Sequence, residues 1–359
     1  MKKSQKKQLL NILFVLALAA FTVWTVSDMD LRAVRNFFEI CNPWFMLGAL
    51  ACMVGYFVFE GISLYLIVRR FGGKPRFRDS IAYAAADVYY SAITPSATGG
   101  QPASAFYMMR DGIPGGIACF GLIFNLLAFA AALLVVGTVV LLLNIPLFLS
   151  YSILARVLIL IGLCFQLVLI GVFGACLFFP KMILKVGHFF ISLLCKIRIF
   201  KDKDKWMGKI NGMVDKYRAS LDYFKHHKAL IFPVLFFDIL QRVSLIGISC
   251  FVCAAITDLS MWEIFSIQTF VVLGFNAVPL PGGSGAFEYM YLEAYAHIFT
   301  DDMTKTTMLI TRVISYYLSM VVCAAITLTH HLRPPKHLQN AEDANNSTAE
   351  SAEYGNTAS

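Results

Sequence analysis

Charge is what this chain has least of: Asp, Glu, Lys and Arg together make up 14% of its 359 residues, against about 25% in an ordinary soluble domain. With 58% hydrophobic residues and a mean hydropathy of +0.68, a soluble globular domain is excluded. The sequence also lacks an ATP-binding glycine loop, a metal-ligand cluster and a catalytic-triad pattern. ATP-driven movement is therefore not expected, nor a metal, nor any other cofactor, and no residue is assigned a catalytic role. The nine cysteines stand singly in apolar runs. The one close pair, Cys250 and Cys253, has no histidine beside it, so both read as small packing residues. A net charge of +8 would suit nucleic acid, but the Lys and Arg sit in short clusters between apolar runs, as cytoplasmic loops require. No nucleic-acid partner is expected.

What is abundant is apolar sequence of spanning length, the mark of an all-α polytopic membrane protein. The runs Leu9 to Ser27, Trp44 to Val68, Ile117 to Leu143, Ser152 to Phe179, Leu230 to Thr257 and Thr306 to Thr329 predict about six transmembrane helices. The first follows MKKSQKKQ without a small-x-small cleavage pattern, so it reads as a retained helix rather than a signal peptide. Lys2, Lys3, Lys6 and Lys7 hold the N-terminus in the cytoplasm. The cluster Arg69, Arg70, Lys74, Arg76 and Arg78 marks a second cytoplasmic piece, and the loop 181–228, with twelve Lys or Arg against four Asp, a third. That loop is too short to build a core of its own. The membrane domain is expected over residues 1–332 and a disordered, polar cytoplasmic tail over 333–359. The whole reads as a multi-pass protein of the cell membrane with both termini cytoplasmic.

This orientation closes only if two further segments return to the side they entered from. Asp79 to Gly116 must start and end inside, and Asp258 to Lys305 outside. Each contains a Pro/Gly break, "ITPSATGGQP" in the first and "VPLPGGSGAFE" in the second. Irregular backbone at membrane depth must be buried in protein or line a wet cavity, which predicts two oppositely oriented re-entrant helical hairpins. The order span, span, hairpin, span then occurs twice, the pattern of inverted repeats around a midplane site. Pro95, Pro102, Pro279 and Pro281 interrupt the hydrogen-bond ladder, and Gly99, Gly100, Gly282, Gly283 and Gly285 permit close backbone approach. The half-helix N-termini that follow would present free N–H groups to a phosphate or carboxylate. The alternative is a pair of kinks tolerated by neighbouring helices. Whether Met261 to Leu280 is a half-helix or a tilted full span stays open.

Ionisable residues inside apolar runs are costly and should face the interior or a partner. They are Glu60, Asp87, Asp238, Arg242, Glu288 and Arg312. Asp238 and Arg242 lie four apart, so an internal ion pair would account for both. Glu288, just after "PGGSG", could serve as a helix cap instead of binding anything. Arg110 and Arg156 lie near span ends and could snorkel. Acids and arginines at similar depth suit the two ends of a zwitterionic or amino-bearing headgroup, whereas a cation channel would show acids alone.

The stretches "TPSATGGQPASAFYMMRDGIP" and "PLPGGSGAFEYMYLEAY" together resemble the flippase-like transmembrane domain of the lysylphosphatidylglycerol synthase family, with the resemblance running from about Lys7 to Leu332. It implies substrate-binding motifs at Thr94, Pro95, Gly99, Gly100, Gln101 and Pro102, with Arg110 after them, and at Pro281, Gly282, Gly283, Gly285 and Glu288. It also implies a membrane phospholipid as substrate, an anionic or aminoacylated one such as lysylphosphatidylglycerol, moved between leaflets. Bifunctional members add a cytoplasmic domain that transfers the amino acid from aminoacyl-tRNA. Here only "RPPKHLQNAEDANNSTAESAEYGNTAS" follows the last span, so phosphatidylglycerol lysyltransferase activity is the lesser expectation and a separate lipid-modifying enzyme is a candidate partner. An ion-coupled transporter of small solutes is a further alternative, and homo-oligomerisation stays open. The basic segment "IRIFKDKDKW" reads either as an interfacial helix gathering anionic lipid or as an ordinary positive-inside loop.

Overall fold

Lipid offers the backbone no hydrogen-bond partner, so each long apolar run must close its own ladder as a helix. A computed structural model describes residues 31–94, 98–179, 203–276, 278, 285–296 and 298–333, and every regular element among them is helical. In chain order these are α1 (Leu31–Ile40), α2 (Pro43–Arg70), α3 (Phe77–Ile93), α4 (Gly100–Arg110), α5 (Gly115–Leu143), α6 (Ile145–Ser150), α7 (Ile153–Phe178), α8 (Lys203–His226), α9 (Ile231–Ala254), α10 (Met261–Asn276), α11 (Ala286–Tyr295), α12 (Asp301–Arg312) and α13 (Ser319–Leu332). A π-helical segment, Val313–Leu318, joins α12 to α13. Among the described residues, five stretches are long and apolar enough to cross a membrane: α2, α5, α7, Lys228–Ala254 and Asp301–Leu332. They match five of the six expected spans. The sixth, Leu9 to Ser27, lies outside the described residues, as do 180–202 of the basic loop and 334–359 of the tail.

Local signals set the helix ends. Asn42 Oδ1 accepts from Trp44 N at 3.0 Å with Pro43 opening α2, whose last turn carries Arg69 and Arg70; cap, fixed φ and dipole all agree. Ser152 Oγ accepts from Ala155 N at 3.3 Å to start α7. Burial then sorts the spans into inner and outer. Within the most apolar window, 44% of α2 is buried but only 17% of α7, so α2 is central and α7 faces outward. Centrally, α2 packs along α9, where Gly48 receives the Phe251 ring and Gly247 receives Cys52, the small-residue contact that lets membrane helices approach closely.

Each expected break separates two shorter helices that run antiparallel. In the first pair, α3 and α4, Tyr83 OH donates to Asp111 Oδ2 at 2.7 Å and Gln101 Nε2 to Asp87 Oδ2 at 2.6 Å. In the second, α10 and α11, the Phe275 and Phe287 rings lie 5.6 Å apart and Tyr295 OH reaches Gln268 Oε1 at 3.4 Å. The base of the first pair adjoins the start of α5 and the end of α13, where His330 Nε2 lies 3.0 Å from Asp111 Oδ2. The base of the second adjoins Ser152, beyond the far end of α5, through a 3.0 Å bond from Ser152 N to Glu293. The bases of the two pairs therefore lie near opposite ends of α5, a helix of 29 residues spanning about 43 Å.

The described part of the basic loop is not free-standing. Val214, Tyr217, Leu221 and Phe224 recur at helical spacing along α8 and are buried, with the Tyr217 and Phe224 rings against Phe120 and Phe124 of α5. The loop thus borrows the bundle's core. Residues 197–202 of the segment "IRIFKDKDKW" lie outside the described residues.

Candidate substrate cavity between the hairpins

Between residues flanking the two breaks, Ser91, Ala92 and Gln101 of the first and Phe275, Asn276 and Phe287 of the second, lies a cavity of about 500 Å³. Its wall mixes aromatic rings with polar side chains, among them Glu60, Asp87, Gln101, Gln241, Arg242 and Arg312. A few convergent polar groups in a mostly apolar concavity is the usual form of a binding site.

The acidic side is built by α2, α3, α4 and α9. Glu60, only 4% exposed, accepts from Gln241 Nε2 at 3.0 Å. Asp87 accepts from Gln101 Nε2 at 2.6 Å and from Ser91 Oγ at 3.2 Å. The two carboxyl groups lie against each other, close enough to share a hydrogen bond. The close packing of α4 against Asp87 depends on Gly100, where a Cβ would stand 1.9 Å from Asp87 Oδ1 and 2.1 Å from Ser91 Oγ. Thr94 does not line the cavity. Its hydroxyl donates to Tyr90 O at 2.7 Å and accepts from Gly99 N at 2.8 Å, closing the turn. One amide expected to bind an anion is thus already satisfied.

The basic side is Arg242 and Arg312. Arg242, 4% exposed, lays its guanidinium carbon 3.3 Å from the centroid of the Phe129 ring, and its Nε has no hydrogen-bond partner among the described residues. The expected ion pair with Asp238 is not formed among the described residues. Asp238, fully buried, faces Ser63 Oγ at 3.2 Å, while Arg242 turns to the π face and the carbonyl of Phe129, 3.4 Å away on α5. The i,i+4 spacing aligned the Cβ atoms, but the ring across the interface captured the cation. Arg312 ends α12 immediately before the π-helical segment, its guanidinium 2.9 Å from Glu288 Oε1 and 4.1 Å from the Phe287 centroid. Ser315 and Tyr316 of that segment also line the cavity, and Tyr316 OH donates to Ala92 O at 2.8 Å. Such π segments recur at functional sites.

Glu288 does serve as the cap that its position suggested, accepting from Gly285 N, and it pairs with Arg312 besides. Gly285 holds φ at +81°, a conformation that side-chain-bearing residues rarely adopt. Glu288→Ala should lower stability by about 1 kcal/mol, chiefly through the lost cap, and Glu288→Gln by less; thermal unfolding in detergent measures both. Arg110 is not brought to the cavity. It donates to the carbonyls of His331, at 2.7 Å, and of His330 and Arg333, tying α4 to the end of α13. Arg110→Ala is expected to cost about 1 kcal/mol of stability while leaving headgroup selectivity unchanged, readable as a lower unfolding temperature with an unaltered preference between lipids. Pro95, Pro281, Gly282 and Gly283 lie outside the described residues.

Sequence reasoning missed Gln241, Asn125 and Gln268, which line the cavity; being uncharged, they leave only a small dent in hydropathy. It also found no metal-ligand spacing, yet the fold brings Asp79, Asp111 and His330 together at the base of the first hairpin, their ligand atoms within 4.8 Å of one another.

No curated protein matches the chain. Residues 8–323 match the family described as lysylphosphatidylglycerol synthase TM region, and a match over nearly all of the 359 residues places the chain in that family.

Proposed function

We propose that the protein moves an amino-bearing phospholipid, such as lysylphosphatidylglycerol, between the leaflets of the cell membrane. The headgroup passes through the cavity while the acyl tails remain in lipid. The observation that carries this reading is Arg242: a buried cation in a cavity wall, with no carboxylate at ion-pair distance and no Nε partner among the described residues, beside the Glu60 and Asp87 carboxyls. A phosphate would find Arg242 and Arg312, and an ammonium would find the two carboxyls. The opposite placement of the two hairpin bases supports re-entrant arms from the two membrane faces, and alternating access by rocking one repeat against the other. Membership of a family of membrane domains associated with lysylphosphatidylglycerol supports the class of lipid.

The test is leaflet exchange of acyl-labelled phosphatidylglycerol and lysylphosphatidylglycerol in liposomes holding the purified protein, read by dithionite quenching. Exchange of lysylphosphatidylglycerol faster than in protein-free liposomes is expected. Exchange of neither lipid by folded protein would overturn the proposal in favour of a soluble zwitterionic solute.

A further inference from the structure

Glu60 and Asp87 come from different helices, α2 and α3, and meet carboxyl to carboxyl at the cavity wall. Two carboxylates have only acceptors, so a hydrogen bond between them requires that one carry a proton. Glu60 Oε2 accepts from the Gln241 amide, and Asp87 accepts at Oδ2 from the Gln101 amide and at Oδ1 from Ser91. Both amides point donors at the pair, and each carboxylate oxygen keeps a further lone pair that can take the shared proton. We propose that this dyad exchanges one proton for one headgroup ammonium, so that lipid passage in one direction is linked to proton movement in the other. The inference rests on the translocator reading above.

Charge conservation in a low-dielectric cavity argues for exchange rather than co-binding. The dyad with its shared proton carries one negative charge. When an ammonium enters and the proton leaves to solution, two carboxylates and one cation again sum to minus one, so the buried charge does not change. The other titratable or charged groups that face the pair are Tyr56 on α2, Asp238 and Arg242 from α9, Cys323 from α13 and, across the cavity, Arg312 from α12. Arg242 and Arg312 supply the phosphate seat and leave the dyad to the amine. Lysylphosphatidylglycerol, with two ammonium groups and one phosphate, carries one net positive charge, so its exchange for one proton is electroneutral.

Liposomes containing the full chain and acyl-labelled lysylphosphatidylglycerol are first shown to exchange the lipid without a gradient, then given a one-unit pH step. One-for-one exchange should enrich the lipid about tenfold in the leaflet facing the more acidic side. A potassium diffusion potential should not alter that ratio. Glu60→Gln and Asp87→Asn, whose amides cannot release the proton, should remain folded by size exclusion and lose the enrichment. Exchange by the natural protein that stays even across the pH step overturns the dyad while leaving the translocator intact, and enrichment that persists in both variants overturns the assignment to these residues. Absence of any exchange overturns the translocator reading and this inference with it.

Discussion

Replacing Arg242 by glutamine is expected to leave the protein folded and to slow lysylphosphatidylglycerol exchange about ten- to hundredfold, the loss of one charge-assisted hydrogen bond to phosphate at roughly 1.5–3 kcal/mol. Most substitutions of a buried charge are damaging because they strand a partner. Here the direct partners are an aromatic ring and a carbonyl 3.4 Å away, neither left ionised when the guanidinium goes, while the buried Asp238 and Glu60 carboxyls lose its field but no direct ion pair. Stability should therefore fall only modestly, by about 1–2 kcal/mol, less than the loss on breaking a direct buried ion pair. A group whose removal harms transport but not the fold is held there for a ligand. Arg242→Lys separates charge from shape: a lysine retains the charge without the planar stack on Phe129 or the fork for phosphate, and intermediate exchange is expected. Unfolding temperature and dithionite-read exchange, measured on the same preparations, decide it. A large drop in unfolding temperature would assign Arg242 to the structure instead.

The helical architecture was legible because lipid imposes a single rule. Runs such as Ile117 to Leu143 can satisfy their backbone only as helices, and α5 occupies Gly115–Leu143. The breaks were equally legible, since "TPSATGGQP" cannot continue a helix and α3 does stop at Ile93 with α4 restarting at Gly100. What periodicity could not give was the face each helix turns to the cavity. A helix apolar on all sides carries no stripe, so nothing along α9 indicates that Gln241 reaches Glu60, 181 residues away in sequence. Side-chain choice within one helix was not legible locally either. Asp238 and Arg242 satisfied the local rule for a pair, but Ser63 on α2 and Phe129 on α5 outcompeted it. Those competitors exist only after the bundle has assembled. The π-helical turn at Val313–Leu318 left no local trace, as it contains neither proline nor glycine.

Gly100→Ala is expected to be the most damaging single methyl addition at the cavity. The new Cβ would meet Asp87 Oδ1 at 1.9 Å, Ser91 Oγ at 2.1 Å and the Asp87 backbone carbonyl at 2.6 Å. Side-chain atoms can rotate away, but the carbonyl belongs to the α3 backbone, so α3 and α4 must part. Overpacking of this kind costs about 1–3 kcal/mol and sometimes more. Separation would also draw Gln101 away from the oxygen it now holds at 2.6 Å, loosening the Glu60 and Asp87 pair. Exchange should fall more steeply than stability alone explains. Gly171→Ala on α7 is the matched control: an exposed helical glycine with nothing within 4 Å of its added Cβ, where alanine should be neutral or stabilise by up to about 1 kcal/mol. Both variants are compared by thermal unfolding in detergent and by exchange in liposomes. If Gly100→Ala unfolds at the natural temperature and exchanges lipid at the natural rate, close contact between the two arms of the first hairpin plays no part in transport. If it stays folded but loses exchange, the arms must touch for the cavity to work, and the glycine is there to let them.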